Sequence, residues 1–420
     1  MTTELRTAEI IAVGSELVTP DRIDTNSLWL TARLNELGVD VRVKAVVGDH
    51  RDELATVFGQ AIARADLVVT TGGLGPTDDD LTREAVAGAL GLRLVEDADI
   101  LAGLRDRFAK RRIQMPEINR RQAQVPVGAT VLANRHGSAP GLWIEHGGKV
   151  AVLLPGPPRE IHPMWQADVL PRLEARTGGR RLRRRVLKIT GRAESQVDEV
   201  AEPVYTPFRR QPISIETTIL ATPGQIELHL SAAGRDVPAI DRALDEAVGR
   251  LSDALGSVVF SVDGRALEAV VGDLLRERRW RIAAAESCTA GLLLGRLTEI
   301  PGSSAWVVGG VVAYANDVKT RELGVPDAML EAHGAVSEPV ARAMADGVRT
   351  SLGADIGVAI TGIAGPDGGS EAKPVGTVVM AVSGSAPAVK TSIFTGDRQM
   401  VRALAVAGAL DMVRRSILGL

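Results

Sequence analysis

The sequence predicts an α/β protein: two α/β domains with helix-covered sheets, residues 1–172 and 264–420, joined by a smaller α+β domain over residues 173–263. Three observations predict it. Short Ile/Val/Ala runs alternate with helical stretches toward both ends of the chain, the pattern of parallel sheets packed under helices. The 420 residues exceed what one hydrophobic core usually serves, so more than one domain is expected. From Thr177 the texture changes, through Gly178-Gly179, to the basic run Arg180, Arg181, Arg183, Arg184 and Arg185, which marks a boundary.

The elements follow in order. In the first domain Glu9 to Val13, Val39 to Val46 and Leu67 to Thr71 read as strands, with helices at Asn26 to Leu37 and Arg51 to Ala65. A further strand, Val150 to Leu154, is ended by the rigid Pro155-Gly156-Pro157-Pro158 turn. The middle domain reads as strands at Val186 to Ile189, Ile213 to Ala221 and Gln225 to Ala232, with helices at Glu194 to Ala201 and Ile240 to Leu255. The third domain opens with a helix, Ala266 to Arg278, and the strand Trp280 to Ala285. Strands at Ala305 to Ala313, Ile356 to Thr361, Thr377 to Val382 and Val389 to Phe394 follow, with helices at Leu292 to Leu297, Glu338 to Ser351 and Gln399 to Ile417.

Composition removes several classes of function. Lys and Arg number 49 against 52 Asp and Glu, a net charge of −3. That leaves no global positive field for nucleic acid or an anionic membrane, and the arginine run reads as a solvated strand edge. One cysteine forms no internal disulfide and the six histidines show no paired ligand spacing, so a reducing cytoplasm fits best. The opening Met-Thr-Thr-Glu-Leu-Arg lacks a signal pattern, and no apolar run approaches the roughly 20 residues of a membrane span. Small-molecule chemistry is the remaining expectation.

Two loops carry that chemistry, because ligands of such sheets sit beyond the carboxyl ends of the strands. After the strand ending at Thr71 comes Gly72-Gly73-Leu74-Gly75-Pro76-Thr77-Asp78-Asp79-Asp80. Its glycines let N–H groups converge on an anion at a helix N-terminus, which suits a phosphate or pyrophosphate. The acids that follow suit Mg²⁺, a hard cation that takes oxygen ligands. A glycine turn with a capping Asp is the bland alternative.

The second loop, Glu286-Ser287-Cys288-Thr289-Ala290-Gly291, places Ser287 between a strand and a helix, where free N–H groups can hold an oxyanion. Alternatively Ser287 or Thr289 only caps the helix. Tyr314, Asn316 and Lys319 follow another strand; an amine whose pKa burial lowers can deprotonate a serine, whereas a lone lysine is ordinarily a solvated one. A third cluster, Thr361-Gly362-Ile363-Ala364-Gly365-Pro366-Asp367-Gly368-Gly369, offers a backbone cradle.

These motifs resemble those of a known family. The strings TGGLGPTDDDLT, AVGSELV…DTNS, VVGD at Val46 to Asp49 and LPGPPREI at Leu154 to Ile161 resemble the molybdopterin-binding-type domain of the CinA (competence/damage-inducible) proteins. The resemblance implies nucleotide or pterin-nucleotide binding and, in some members, metal-dependent hydrolysis of ADP-ribose. With that chemistry Asp49 and Asp79 are the first candidates to hold a divalent cation, followed by Glu16 and Asp80. Gly72, Gly73, Gly75, Pro76 and Thr77 are expected on the phosphates. Asn26 and Asp24 either bind the other end of the nucleotide or cap a helix, and Glu160 meets the same pocket. Ser15 stands where relatives often carry an acid.

ESCTAG, YANDVK and TGIAGPDGG, with Gly396-Asp397-Arg398, resemble the C-terminal CinA domain, which is similar to nicotinamide mononucleotide amidases. Ala290 and Ala315 replace a frequent glycine and a frequent serine. The implied reaction converts nicotinamide mononucleotide to nicotinic acid mononucleotide and ammonia, without a metal. Ser287 is then the nucleophile, Lys319 the general base and Tyr314 the group that helps ammonia leave. Glu286, Thr289, Gly291, Asn316, Thr361, Gly362, Ala364 and Gly365 are expected around the substrate, with Arg398 on its phosphate. Cys288, completed by Glu286 and Lys319, is the rival nucleophile. A homodimer is expected by the same resemblance. Two other readings stand beside it: a nucleotide pyrophosphatase with an inactive amidase domain, and a non-catalytic nucleotide-sensing protein.

Overall fold

The computed structural model describes residues 4–420; the first three residues of the amino-terminal stretch considered above lie outside it. The chain forms two compact units, Met1–Arg183 with Ala233–Ile240, and Arg184–Ala232 with Asp241–Leu420.

The first unit is built on strands β1 (Thr7–Val13), β2 (Asp40–Val47), β3 (Leu67–Thr71), β4 (Leu94–Glu96), β5 (Gln124–Pro126), β6 (Thr130–Leu132), β7 (Gly141–His146) and β8 (Lys149–Leu154). Six of them form one sheet in the order β2-β1-β3-β8-β7-β6, while β4 and β5 pair separately. β2, β1, β3 and β8 are parallel. β7 and β6 close the sheet antiparallel, so it is mixed where the alternation alone suggested parallel strands. Side chains of β1 alternate between two cores. Ala8 and Ile10 meet α1 (Asn26–Glu36), while Ile11 and Val13 meet α2 (Arg51–Arg64) and α3 (Thr82–Leu90). That period of two buries both faces of the sheet under helices. α4 (Ala98–Lys110) packs Leu101 and Leu104 on Ala123; α5 (Pro158–Met164) and α6 (Leu170–Arg176) complete the α1 face.

A four-stranded sheet follows from β9 (Arg181–Thr190), β10 (Glu216–Thr222), β11 (Gln225–Gly234) and β12 (Val259–Ser261), in the order β10-β11-β9-β12. α7 (Glu194–Tyr205) and α8 (Val237–Leu255) accompany it. The arginine run opens β9, whose neighbours in the sheet are β11 and β12, and it lies on a stretch of that strand left open on the β12 side. β12 pairs only with Lys188 and Ile189, which leaves the arginine half of β9 beyond its reach, and Arg185 pairs with Asp241 and Asp245.

The C-terminal sheet contains β13 (Ile282–Glu286), β14 (Val307–Val312), β15 (Ile356–Gly362), β16 (Thr377–Ser383) and β17 (Ala388–Ile393), in the order β14-β13-β15-β16-β17. The first three are parallel and the last two antiparallel. Ile282 and Ala284 face α9 (Leu267–Arg278), α10 (Leu292–Thr298) and α14 (Arg398–Leu418). Ala283 and Ala285 face the core made with α11 (Asn316–Leu323) and α13 (Glu338–Ser351); α12 (Asp327–His333) lies between these in sequence. No helix among the described residues is long and apolar enough to cross a membrane.

In both parallel sets the chain leaves a central strand, crosses to a neighbour on one side and returns on the other. β1 is followed by β2 and then β3; β13 is followed by β14 and then β15. A crevice opens beyond the strand ends where the direction of winding reverses. Both motif-bearing loops lie at such points.

Candidate functional site

At the first crevice the glycine loop is shaped by close approach. A Cβ on Gly72 would stand 2.2 Å from the Val13 carbonyl oxygen, and one on Gly73 would stand 2.2 Å from Thr82 Oγ1. Both have positive φ, 96° and 64°, so glycine is required twice over. Asp80 closes the loop: its Oδ1 accepts from the Gly75 N–H at 2.7 Å and its Oδ2 from the Thr77 N–H at 2.9 Å and the Thr77 hydroxyl at 2.5 Å. Beneath, the buried Arg83 donates to the carbonyls of Leu74 and Gly75. A cavity of about 340 Å³ results, lined by Gly72, Gly73, Gly75, Thr77, Glu16, Asp49, Asp79, Asp80 and Glu160. Pro76 is left off its wall.

One expectation changes here. Asp80, expected as a metal ligand, shapes the loop with both oxygens. Asp24 accepts from the Ser27 N–H at the start of α1 and Asn26 donates to the Gly156 carbonyl; both line an adjoining cavity of about 410 Å³. Glu160, buried in the wall, accepts from Asn134 Nδ2 at 2.7 Å and thereby holds the 134–139 turn. Ser15 and Asp49 bond reciprocally, the Ser15 N–H to Asp49 Oδ2 at 2.7 Å and the Asp49 N–H to Ser15 Oγ at 3.0 Å.

No three His, Cys, Asp or Glu side chains among the described residues come together as ligands of a metal. The chain therefore builds no complete cage of its own. Mg²⁺ demands less, because it keeps waters and is usually held by one or two carboxylates together with substrate phosphates. Glu16, Asp49 and Asp79 are the carboxylates that remain to meet it at this cavity.

At the second crevice three loops leave adjacent strands in register: Glu286 lies opposite both Val312 and Ile360. Ser287, Tyr314 and Gly362 thus emerge at one end of the sheet. The Ser287 N–H donates to the Ile360 carbonyl at 2.9 Å, tying the turn to β15, and the Ala313 N–H donates to the Glu286 carbonyl at 2.8 Å. Ser287 Oγ takes part in no hydrogen bond among the described residues, and the backbone N–H groups of Cys288 and Thr289 are likewise unpaired with any other residue there. Two successive unpaired N–H groups directly after a serine are the donors an oxyanion needs.

Lys319 is buried, and its Nζ donates to the carbonyls of Ala313 at 2.9 Å and Tyr314 at 3.3 Å. Burial lowers its pKa, favouring the neutral amine. A neutral amine has two N–H donors and one lone pair, so the two carbonyls occupy the donors and leave the lone pair. Tyr314 is exposed; its hydroxyl oxygen accepts from Arg398 Nη2 at 3.0 Å, and Arg398 Nη1 donates to the Gly365 carbonyl at 2.8 Å. The phenol O–H stays free to donate.

The structure gives other expected residues different tasks. The wholly buried Glu286 is turned to the start of α10, its Oε2 accepting from the N–H groups of Gly291 and Leu293 and its Oε1 from that of Leu294. It is a helix cap, not a substrate contact, and cannot complete a Glu-Lys-Cys set. Burial pushes the Cys288 thiol up to about 11, leaving it protonated at neutral pH and a poor nucleophile. Thr289 is buried, and its hydroxyl has no partner among the described residues. The Thr361 hydroxyl donates to the Ala335 carbonyl. Gly291, Gly362, Ala364 and Gly365 are backbone of the three loops, and Asn316 is the exposed first residue of α11.

Residues 9–175 match the model described as probable molybdopterin binding domain, and residues 264–417 that of the CinA C-terminal domain. The CinA-like protein of Koribacter versatilis is 48% identical over 98% of this chain and 100% of its own length. The chain belongs to the CinA family. A putative competence-damage inducible protein of Desulforudis audaxviator is 42% identical over 97% of this CinA chain and 98% of its own. A solved CinA structure from Thermoplasma acidophilum shares 34% identity over 40% of this chain and 98% of its own, with a TM-score of 0.37.

Four site-supporting residues of this CinA protein escaped the motifs. Arg83 sits beneath the glycine loop, and Arg121 donates to the carbonyls of Thr77 and Asp80. Asn134 holds Glu160, and Arg402 donates to the Thr289 carbonyl at 2.8 Å. The only sequence signal was the spacing of Arg402 from Arg398, one helical turn on.

Proposed function

We propose that the C-terminal domain hydrolyses the carboxamide of nicotinamide mononucleotide to nicotinic acid mononucleotide and ammonia. The observation that carries this reading is the meeting, at one end of three adjacent parallel strands, of an unbonded serine hydroxyl, two unpaired N–H groups and a buried lysine. Ser287 Oγ attacks the carboxamide carbon while its proton passes to Lys319, and the N–H groups of Cys288 and Thr289 receive the oxyanion. The C–N bond breaks with a proton delivered to the leaving nitrogen, from Lys319 or through Tyr314. Water then attacks the ester, giving the carboxylate and the free serine. Arg398 meets the substrate phosphate through the N–H donors that its bonds to Gly365 and Tyr314 leave over.

The test is ammonia release from nicotinamide mononucleotide by the full chain. Ser287→Ala should abolish it and Cys288→Ala should retain most of it; retention of full activity by Ser287→Ala would falsify the assignment.

The shared cavity of glycine loop and carboxylates favours a second activity, binding of a pyrophosphate nucleotide such as ADP-ribose with a divalent cation held partly by Glu16, Asp49 and Asp79. ADP-ribose binding that Asp79→Ala and chelator leave unaltered would remove the metal from this reading. A cytoplasmic homodimer acting on small nucleotides, without nucleic acid, completes the proposal; light scattering gives its oligomeric state.

A further inference from the structure

Arg398 and Arg402 lie one turn apart at the start of α14 and reach two different loops. Arg398 is occupied by the Gly365 carbonyl and the Tyr314 hydroxyl. Arg402 donates Nη2 to the Thr289 carbonyl at 2.8 Å, while its buried Nε has no partner among the described residues. The Thr289 carbonyl also accepts from the Leu292 N–H at 3.2 Å. Thr289 therefore ends the turn with its carbonyl held from two sides and its own N–H unpaired. The next residue, Ala290, has φ of 50°, a left-handed conformation that costs an L-residue roughly 1–2 kcal/mol. Glu286 holds the far side of that turn through the Gly291 N–H; on the near side the Thr289 hydroxyl, buried without a partner, supplies no hold.

We propose that Arg402 is a positioning residue of the amidase reaction, fixing the Thr289 carbonyl so that the N–H groups of Cys288 and Thr289 stay aligned to receive the oxyanion. The inference rests on the amidase reading above. Arg402 touches neither substrate nor Ser287 in this role; it acts through the turn. Its loss weakens stabilisation of the transition state more than binding of the substrate, because the ground-state carboxamide makes less use of the oxyanion donors.

The experiment measures kcat and KM for nicotinamide mononucleotide with the full chain, Arg402→Ala and Arg402→Lys, together with the melting temperature of each. Misplacement of such donors costs on the order of 10²-fold. Arg402→Ala is expected to lose about that factor in kcat with KM changed less than about threefold. Arg402→Lys, which can still donate one bond to the carbonyl, is expected to recover part of it. Guanidinium at millimolar concentration is expected to raise the rate of Arg402→Ala and leave Ser287→Ala inactive. Two results overturn the positioning role: a folded variant with kcat within about threefold of the parent, or a rise in KM at unchanged kcat. If Arg402→Ala does not fold, the same two results in Arg402→Lys decide. Absence of ammonia release by the parent chain instead overturns the amidase reading itself.

Discussion

Ala290 sits in the turn after Ser287 with φ of 50° and an exposed side chain. The Cβ strain there exceeds the extra backbone entropy that glycine loses on folding. Ala290→Gly is expected to stabilise the protein by about 0.5–1 kcal/mol, read from urea or thermal unfolding. Lys319 yields a prediction in pH. Burial favours its neutral form in the folded chain, so the unfolded chain binds more protons between the depressed pKa and the ordinary value of about 10.4. Its contribution to stability therefore rises with pH through that window, and below the window it is unfavourable. The amidase rate should rise along the same limb, below the ordinary lysine range, and Lys319→Met should remove both dependences. A pH–rate profile together with unfolding at several pH values reads them; an ascending limb that survives in Lys319→Met would exclude this lysine as the base.

At the scale of the element, β13 and α10 are joined through one carboxylate. Glu286 is the last residue of its strand, yet it accepts from three N–H groups at the start of the helix. Glu286→Gln keeps the shape, removes the charge from the helix start and places an amide donor against backbone donors. A loss of about 2 kcal/mol in unfolding free energy is expected. Substrate KM should change little, in contrast with what a substrate contact would show. The strands, the two glycine loops and Ser287 were legible in the sequence because each is written locally, as an apolar run ended by glycine or proline. Glu286 was misread for the same reason: beside Ser287 and Cys288 it resembles part of a catalytic set, and only the path of the helix shows where its oxygens point. Arg83, Arg121 and Arg402 lay hidden because an arginine's carbonyl partners are chosen by tertiary packing, which leaves no pattern along the chain. Asp80 belongs to both groups, visible as an acid beside a glycine loop and fixed in its role by loop geometry.

At the scale of the molecule, the C-terminal core reaches back beyond residue 264, where the motif-bearing domain was expected to begin. Phe260 of β12 is buried in the core formed by α9, α14 and the sheet. The buried Arg414 of α14 donates Nη2 to the Ser257 carbonyl at 2.7 Å as well as pairing with Asp411. A fragment of residues 264–420 loses an aromatic from the core and an acceptor from a buried guanidinium. It is expected to be less stable than a 256–420 fragment by at least about 3 kcal/mol. Chemical unfolding of the two fragments measures the difference; equal midpoints would show that Phe260 and Ser257 add nothing to this core.

The ring that Asp80 closes with Gly75 and Thr77 has a consequence for speed. The loop's shape is set when the chain folds, by a carboxylate that bonds within the loop and an arginine anchored beneath it. An arriving anion thus has no segment to order, and the entropy of arranging the loop was lost long before the encounter. Capture at this crevice should be a single-step process whose observed rate climbs in proportion to ligand concentration, without the plateau that a gated loop imposes.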